Sequence, residues 1–182
     1  MVFLRGNPGS KGPAAPRRFL KVLSGDNRPV FHEGSGRLQL ARAIASPDNP
    51  LTARVLVNRV WLHHFGEGLV RNPDDFGTRS EPPTHPELLD YLASQFVRDG
   101  WSIKKLHRLL MLSSVYQQAS DGTQYATVDP DNRWLWRMSR RRLDFESMRD
   151  TILMIGGKLD TRMGGPPVRL DAEPYPVRRS VY

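Results

Sequence analysis

The chain has 182 residues, 38% of them hydrophobic, carries a net charge of +8 and contains no cysteine. That length allows one domain with a real core, and the missing cysteine excludes disulfides, thiolate metal sites, cysteine nucleophiles and CxxCH haem attachment within this chain. The longest apolar runs are far too short to cross a bilayer, and the start, Met1-Val2-Phe3-Leu4-Arg5-Gly6, lacks the basic leader and long apolar region of a signal peptide.

Residues 1–36 read as an extended arm, broken by Gly6-Asn7-Pro8-Gly9, Gly12-Pro13, Gly25-Asp26 and Gly34-Ser35-Gly36, with one short piece of structure around Phe19–Leu23. Gly9-Ser10-Lys11-Gly12 fails the spacing of a phosphate loop. A first helix is predicted over Leu38–Ala45, stopping at Ser46-Pro47. Asn49 is predicted to cap a second helix that carries Pro50 in its first turn and ends at Gly66. At about 100° per residue, Leu51, Val55, Leu62 and Phe65 form one apolar face of that helix, with Val57 and Val60 opposite. A helix apolar on most sides belongs at the centre of a domain. Asn58 falls within the apolar face, where its amide must find partners, so it is expected to tie down a nearby loop.

Thr84-His85-Pro86-Glu87 fits a capping box, with Thr84 as the cap. The following helix is expected to bury Leu88, Leu89, Leu92 and Phe96 and to stop at Gly100. Ser102 then caps a helix that buries Ile103, Leu106, Leu109 and Leu110. The short turn between them makes a helical hairpin over Thr84–Gln117. Residues 118–131 read as a polar loop, Asn132–Met138 as a short helix, and Leu143–Ile155 as a helix with Phe145, Met148, Ile152 and Ile155 in register. The last part, 161–182, is a glycine- and proline-rich tail ending in Arg178-Arg179-Ser180-Val181-Tyr182, which resembles the start of a strand. The whole reads as mainly α: an irregular helical core at 37–160 between two Gly/Pro-rich arms. At most a few short strands are expected, near Val2–Leu4, Gly68–Val70 and the C-terminus.

Several segments together resemble one family: Val2-Phe3-Leu4-Arg5-Gly6-Asn7-Pro8, Asn58-Arg59-Val60-Trp61-x-x-x-Phe65-Gly66, Asp74-Asp75-Phe76-Gly77, His85-Pro86-Glu87-Leu88-Leu89-Asp90, Met163-Gly164-Gly165-Pro166-Pro167 and Arg178-Arg179-Ser180-x-Tyr182. The chain is similar to the C-terminal planctomycete surface domain, a domain of unknown function that follows cytochrome c-like modules in large proteins. The resemblance implies an extracytoplasmic or surface location, and it supplies no catalytic residues. This chain lacks CxxCH, so haem would belong only to a missing N-terminal module. The chain is expected to be a fragment of such a larger protein.

Three chemical readings arise from the residues. Arg59 and His63 stand four apart on the central helix, and a loop carrying Asp74 and Asp75 could fold back beside them to orient a general base. The alternative is a network of ion pairs and amide hydrogen bonds that pins the Gly66–Gly77 connection. Trp134 and Trp136 with Arg137, Arg140, Arg141, Arg142 and Arg149 could hold nucleic acid or an acidic sugar. Acids interleave that run and no nucleic-acid-binding signature accompanies it, which favours core tryptophans and paired arginines. His63, His64 and Glu67 suggest a metal, but Gly66 breaks the helix before Glu67 and no second ligand pair supports a site. Asp75-Phe76-Gly77 spells the kinase triplet without the rest of that machinery.

The leading expectation is a non-catalytic accessory or interaction domain. Its partners would be other modules of the full-length protein, a surface component or a polysaccharide. It needs no cofactor or metal of its own and has no membrane span. The binding residues named are Asn58, Trp134, Trp136 and Arg140–Arg142. An enzyme acting on an acidic glycan through Arg59, His63, Asp74 and Asp75 stands second, and nonspecific nucleic-acid binding through the basic run stands third.

Overall fold

The computed structural model describes residues 2–26, 28–166, 169–171 and 173–180. It is mainly helical and divides into two compact units, Met1–Ser139 and Arg140–Tyr182. The first holds α1 (Lys21–Ser24), α2 (Arg37–Ile44), α3 (Thr52–Phe65), α4 (Pro86–Arg98), α5 (Ile103–Met111) and α6 (Ser114–Gln117), and the second holds α7 (Phe145–Ile155). Among the described residues there is no strand. Two isolated bridges take the place of the expected ones, Phe3 with Lys11 and Asp160 with Arg178. Gly68–Val70 is irregular. Val181 and Tyr182, at the end of the strand expected there, lie outside the described residues, as does Pro167 of the Gly164–Pro167 run.

The core of the first unit forms where α3 packs on α4 and both meet α5. Val57, Trp61 and Phe65 of α3 meet Leu89, Leu92 and Phe96 of α4 and Leu106 and Leu110 of α5, and Leu69 and Val70 close the end. Each such side chain contributes about 1.5–3 kcal/mol relative to exposure. The buried stripe of α3 runs through Ala53, Val57, Val60 and Trp61. Leu51, Val55 and Leu62, expected on the inner face, are half-buried on its flank. An all-round apolar helix offers several candidate faces, and the position of α4 selects one.

Helix ends follow their local chemistry. Gly66 sits at φ +93 and donates to the Leu62 carbonyl at 2.8 Å, closing α3. α4 closes with Gly100 donating to Val97 and Trp101 to Phe96, both at 3.0 Å, and the Trp101 ring meets Phe96 edge-on at 5.3 Å. That double hydrogen bond with its apolar contact is a Schellman stop, and it sets the turn into α5. Ser102 caps α5 by accepting from the Lys105 amide.

Four local expectations need correction. Thr84 does not cap α4. Pro86 occupies the first turn and drives His85 out of helical geometry, so the helix starts one residue later, and the Thr84 amide and hydroxyl both donate to the Leu69 carbonyl. Asn49 does not cap its helix from the adjacent position. Its side chain accepts from Leu51 and donates to Ile44, stapling the end of α2 to the approach of α3, which begins at Thr52. Ile103 is exposed, while Leu106 and Leu110 carry the burial of α5. Asn132–Met138 is not a helix. Asn132 and Leu135 adopt left-handed φ of 54° and 57°, and the buried Asp129 carboxylate accepts from the Arg133 and Trp134 amides at 2.8 Å. Side-chain acceptors here outcompete the helical pattern.

In the second unit Asp144 caps α7 through the Ser147 amide, so the helix begins at Phe145 rather than Leu143. The same bond holds the Asp144 carboxyl below its usual range. Phe145, Met148, Ile152 and Ile155 are in the expected register, yet all four are exposed.

Candidate functional site

The conspicuous polar block after Leu51 resolves into two layers. Inside, Asn58 is fully buried; its Nδ2 donates to the Val70 carbonyl and its Oδ1 accepts from the Val70 amide, both at 2.9 Å. One side-chain amide thus takes the place of a backbone partner for the loop after α3. Gly68 lies against that contact. A Cβ there would stand 2.4 Å from the Val70 carbonyl and 2.7 Å from Asn58 Nδ2, so glycine is required by close approach.

Outside, Arg59 turns to solvent and reaches Asp74 at 3.3 Å, with the two side chains 54% and 82% exposed. An ion pair in that setting contributes little. His63 is exposed. Asp75 turns the other way, accepting from the Gly77 amide at 2.8 Å and helping to line a cleft. Of the four residues proposed for catalysis, the structure pairs Arg59 with Asp74 and directs Asp75 elsewhere.

The cleft has a volume of about 590 Å³ and lies between the start of α3, the start of α4 and the loop from Asp75 to Pro86. Val70, Phe76, Leu89, Pro82 and Pro83 are its apolar lining. Arg54, Asp75, Glu81 and Asp90 stand at it as the charged groups. Arg54 Nε donates to Asp90 at 2.6 Å, and its guanidinium also donates to the Pro50 carbonyl. The sequence signal for this cleft was the Pro82-Pro83 run before α4, which reads equally well as an ordinary loop.

A second arrangement was also hidden in the sequence. His64 of α3 and His107 of α5 meet at 2.7 Å between Nε2 and Nδ1, with Tyr116 of α6 edge-on to His64 at 5.6 Å. Each histidine alone reads as a core histidine; only the α3–α5 packing brings them together. One nitrogen must donate and the other accept, so the pair is a half-buried polar tie between α3 and α5. Among the described residues no group of three or more His, Cys, Asp or Glu side chains is placed to hold a metal ion. No helix among them is long and apolar enough to cross a membrane.

The tryptophans and arginines divide. Trp134 is 67% exposed and meets His85 edge-on at 5.7 Å. Trp136 is half-buried; it donates from Nε1 to the Asp129 carbonyl and carries the Arg137 guanidinium 5.0 Å above its ring. These belong to the first unit, whereas Arg140, Arg141 and Arg142, all exposed, belong to the second. Arg149, counted with that basic run in the sequence, faces inward. It donates to the Arg178 carbonyl at 2.9 Å, to Ser180 Oγ at 3.1 Å and to the Pro176 carbonyl. Asp150 beside it accepts from the Ser180 amide and hydroxyl. Burial alone would raise the Asp150 carboxyl, but the Ser180 bonds and the Arg149 charge outweigh it and hold it below the usual carboxylate range.

A family model described as PSD1, protein of unknown function (DUF1553), matches residues 36–182. That is the family the sequence motifs point to. No curated protein matches the chain, and no solved structure does.

Proposed function

We propose that this chain, which belongs to the PSD1 family, is a non-catalytic interaction domain of a larger extracytoplasmic protein. The observation that carries the reading is the use made of the motif's polar groups. Asn58 gives both amide atoms to Val70, Gly68 exists to admit that contact, and Arg59 is occupied with Asp74 at the surface. The Asn58 bonds hold the loop after α3 in place, and that loop contributes Val70 to an apolar-walled cleft. A general base must lie within hydrogen-bond reach of the proton it abstracts, and a histidine in that role is oriented by a carboxylate that accepts from its other nitrogen. Asp75, a carboxylate expected beside His63, accepts from the Gly77 amide at 2.8 Å. The charge pattern also supports a partner other than nucleic acid. Arg54, Arg59, Arg71 and Arg133 each stand beside a carboxylate rather than forming one basic face.

The test is an incubation of the chain with acidic and neutral oligosaccharides, read by mass spectrometry for product. In parallel, its retention is measured on an immobilised uronic-acid polysaccharide and on the other modules of the parent protein. Retention by one of these without turnover is the expected result. Turnover that disappears in His63→Ala or Asp75→Asn would establish the enzyme reading in its place.

A further inference from the structure

We infer that the cleft between α3, α4 and the Asp75–Pro86 loop docks an extended segment of a partner polypeptide that presents an apolar side chain next to a lysine or arginine. This rests on the interaction-domain reading and names what its surface takes. The apolar requirement comes from the walls. Val70 and Leu89 are buried members of the hydrophobic core and back the cleft from behind, so its solvent-facing apolar surface comes from the residues packed over them. Phe76, Pro82 and Pro83 supply that surface. A surface of this kind rewards removal of apolar area from water and offers a sugar's hydroxyls few partners.

The cationic requirement comes from the rim. Asp75, Glu81 and Asp90 place three carboxylates around the cleft against two guanidiniums, Arg54 in its lining and Arg133 beside Glu81, on a chain whose net charge is +8. Arg54 is held by Asp90 and by the Pro50 carbonyl. Glu81 reaches Arg133 only at 3.5 Å, with both side chains largely exposed. Among the described residues no salt bridge reaches Asp75, whose Oδ1 accepts from Gly77. An anionic ligand would therefore meet net repulsion here, and a cation net attraction.

An apolar group beside a cation is what a polypeptide segment supplies, and the shape and the backbone set how it docks. A volume of about 590 Å³ falls in the range of ligand sites, but this is a cleft at the surface rather than an enclosed chamber. Pro82, Pro83 and Pro86 have no amide hydrogen to offer, so the loop cannot receive a docking strand along that stretch. Recognition must run through side chains. The same prolines, with the Asn58–Val70 and Thr84–Leu69 hydrogen bonds, fix the walls before binding and lower its ordering cost.

The experiment is an NMR titration of the ¹⁵N-labelled chain with three capped tripeptides: leucine–lysine–leucine, leucine–glutamate–leucine and serine–lysine–serine. The lysine–leucine peptide should move the amides of Phe76, Thr78 and Leu89. The glutamate peptide should bind about tenfold more weakly, the factor for reversing one charge about 5 Å from a carboxylate in a water-like medium. That gap should narrow with salt. The serine peptide should give no saturable shift. Asp75→Asn with Asp90→Asn should abolish the preference for lysine over glutamate, and Thr78→Trp, a change at an exposed loop position, should block the cleft without touching the core. Equal binding of the lysine and glutamate peptides, shifts that map away from the cleft, or none at millimolar peptide would overturn the docking site. The same samples are scored for peptide and oligosaccharide turnover. Turnover lost in His63→Ala defeats the interaction-domain reading, whereas absent cleft shifts without turnover defeat only this inference.

Discussion

The two units solve the same problem with different chemistry. Residues 1–139 are held by apolar burial: α3, α4 and α5 share one contiguous core. Residues 140–182 contribute no hydrophobic side chain to the buried set among the described residues. What orders that unit is a polar clamp, in which Arg149 and Asp150 on α7 grip the Pro176–Ser180 segment. Yet α4 and α7 are similar as sequences, each with large apolar residues three and four apart. The comparison teaches that periodicity specifies a helix and one apolar face, whereas burial depends on what stands opposite. α4 has α3 opposite it; the face of Phe145, Met148, Ile152 and Ile155 stays exposed.

The sharpest way to press the comparison is to truncate one residue of each face. Phe96→Ala removes a ring that is 2% exposed and that also closes the α4 stop against Trp101. It should cost about 3–5 kcal/mol in urea unfolding. Ile152→Ser, at a residue 63% exposed, should change stability by no more than about 0.5 kcal/mol. A comparable loss at both positions would mean that α7 is covered in solution, and the contrast between the units would fail.

The second largest effect tests whether the apolar unit also depends on the fully buried amide of Asn58. Asn58→Leu leaves the Val70 amide and carbonyl without their partners in a dry interior. Two orphaned groups should cost about 3 kcal/mol. Gly68→Ala, which forces a Cβ to within 2.4 Å of the Val70 carbonyl, should destabilise by a similar route, read as a lower denaturation midpoint for both variants. A neutral Asn58→Leu would show that packing alone fixes the loop and that the cleft wall does not depend on the motif.

How far the sequence reached follows the same division. α3, α4 and α5 were legible from their period and from Ser102 before α5, Gly66 after α3 and Gly100 after α4, while the caps expected of Asn49 and Thr84 bond elsewhere. The loop role of Asn58 was legible because a polar residue inside an apolar face must be satisfied. The cleft was not legible, since its apolar lining joins Val70, Phe76 and Leu89 from separate stretches of chain and its rim is made of acids that read singly as solvated charges. The His64–His107 tie was missed for the same reason: its members are 43 residues apart, and only the crossing of α3 and α5 joins them. The pairing of Arg149 with Asp150 was legible in the run of alternating charges, whereas its grip on the Pro176 and Arg178 carbonyls was not, since nothing local marks partners near the end of the chain.

Next in size is the clamp itself. Arg149 is 15% exposed at its side chain, and Arg149→Met keeps the aliphatic stem while deleting the donors to Pro176, Arg178 and Ser180. Hydrogen exchange at the Ser180 amide should accelerate by about thirtyfold, equivalent to about 2 kcal/mol of lost local stability for hydrogen bonds from a charged donor. Unchanged exchange would mean that the Asp150 side of the grip suffices.

The smallest effect is the most diagnostic, because pH acts on the second unit's clamp and leaves apolar burial untouched. The folded Asp150 carboxyl titrates below its usual value, so ionisation favours the ordered form. Its contribution is fully present above the unfolded carboxylate range and is lost as pH falls through the lowered folded value, that is, below about pH 4. Protection of the Ser180 amide, corrected for intrinsic exchange, should therefore hold flat from neutral pH to about pH 5 and decline below it. Asp150→Asn should remove that decline while retaining acceptors for Ser180. The charge, rather than the hydrogen bond alone, would then be what makes this clamp acid-sensitive. If wild type and Asp150→Asn follow the same curve, the acid response belongs to other carboxylates, and the two units differ in burial but not in electrostatics.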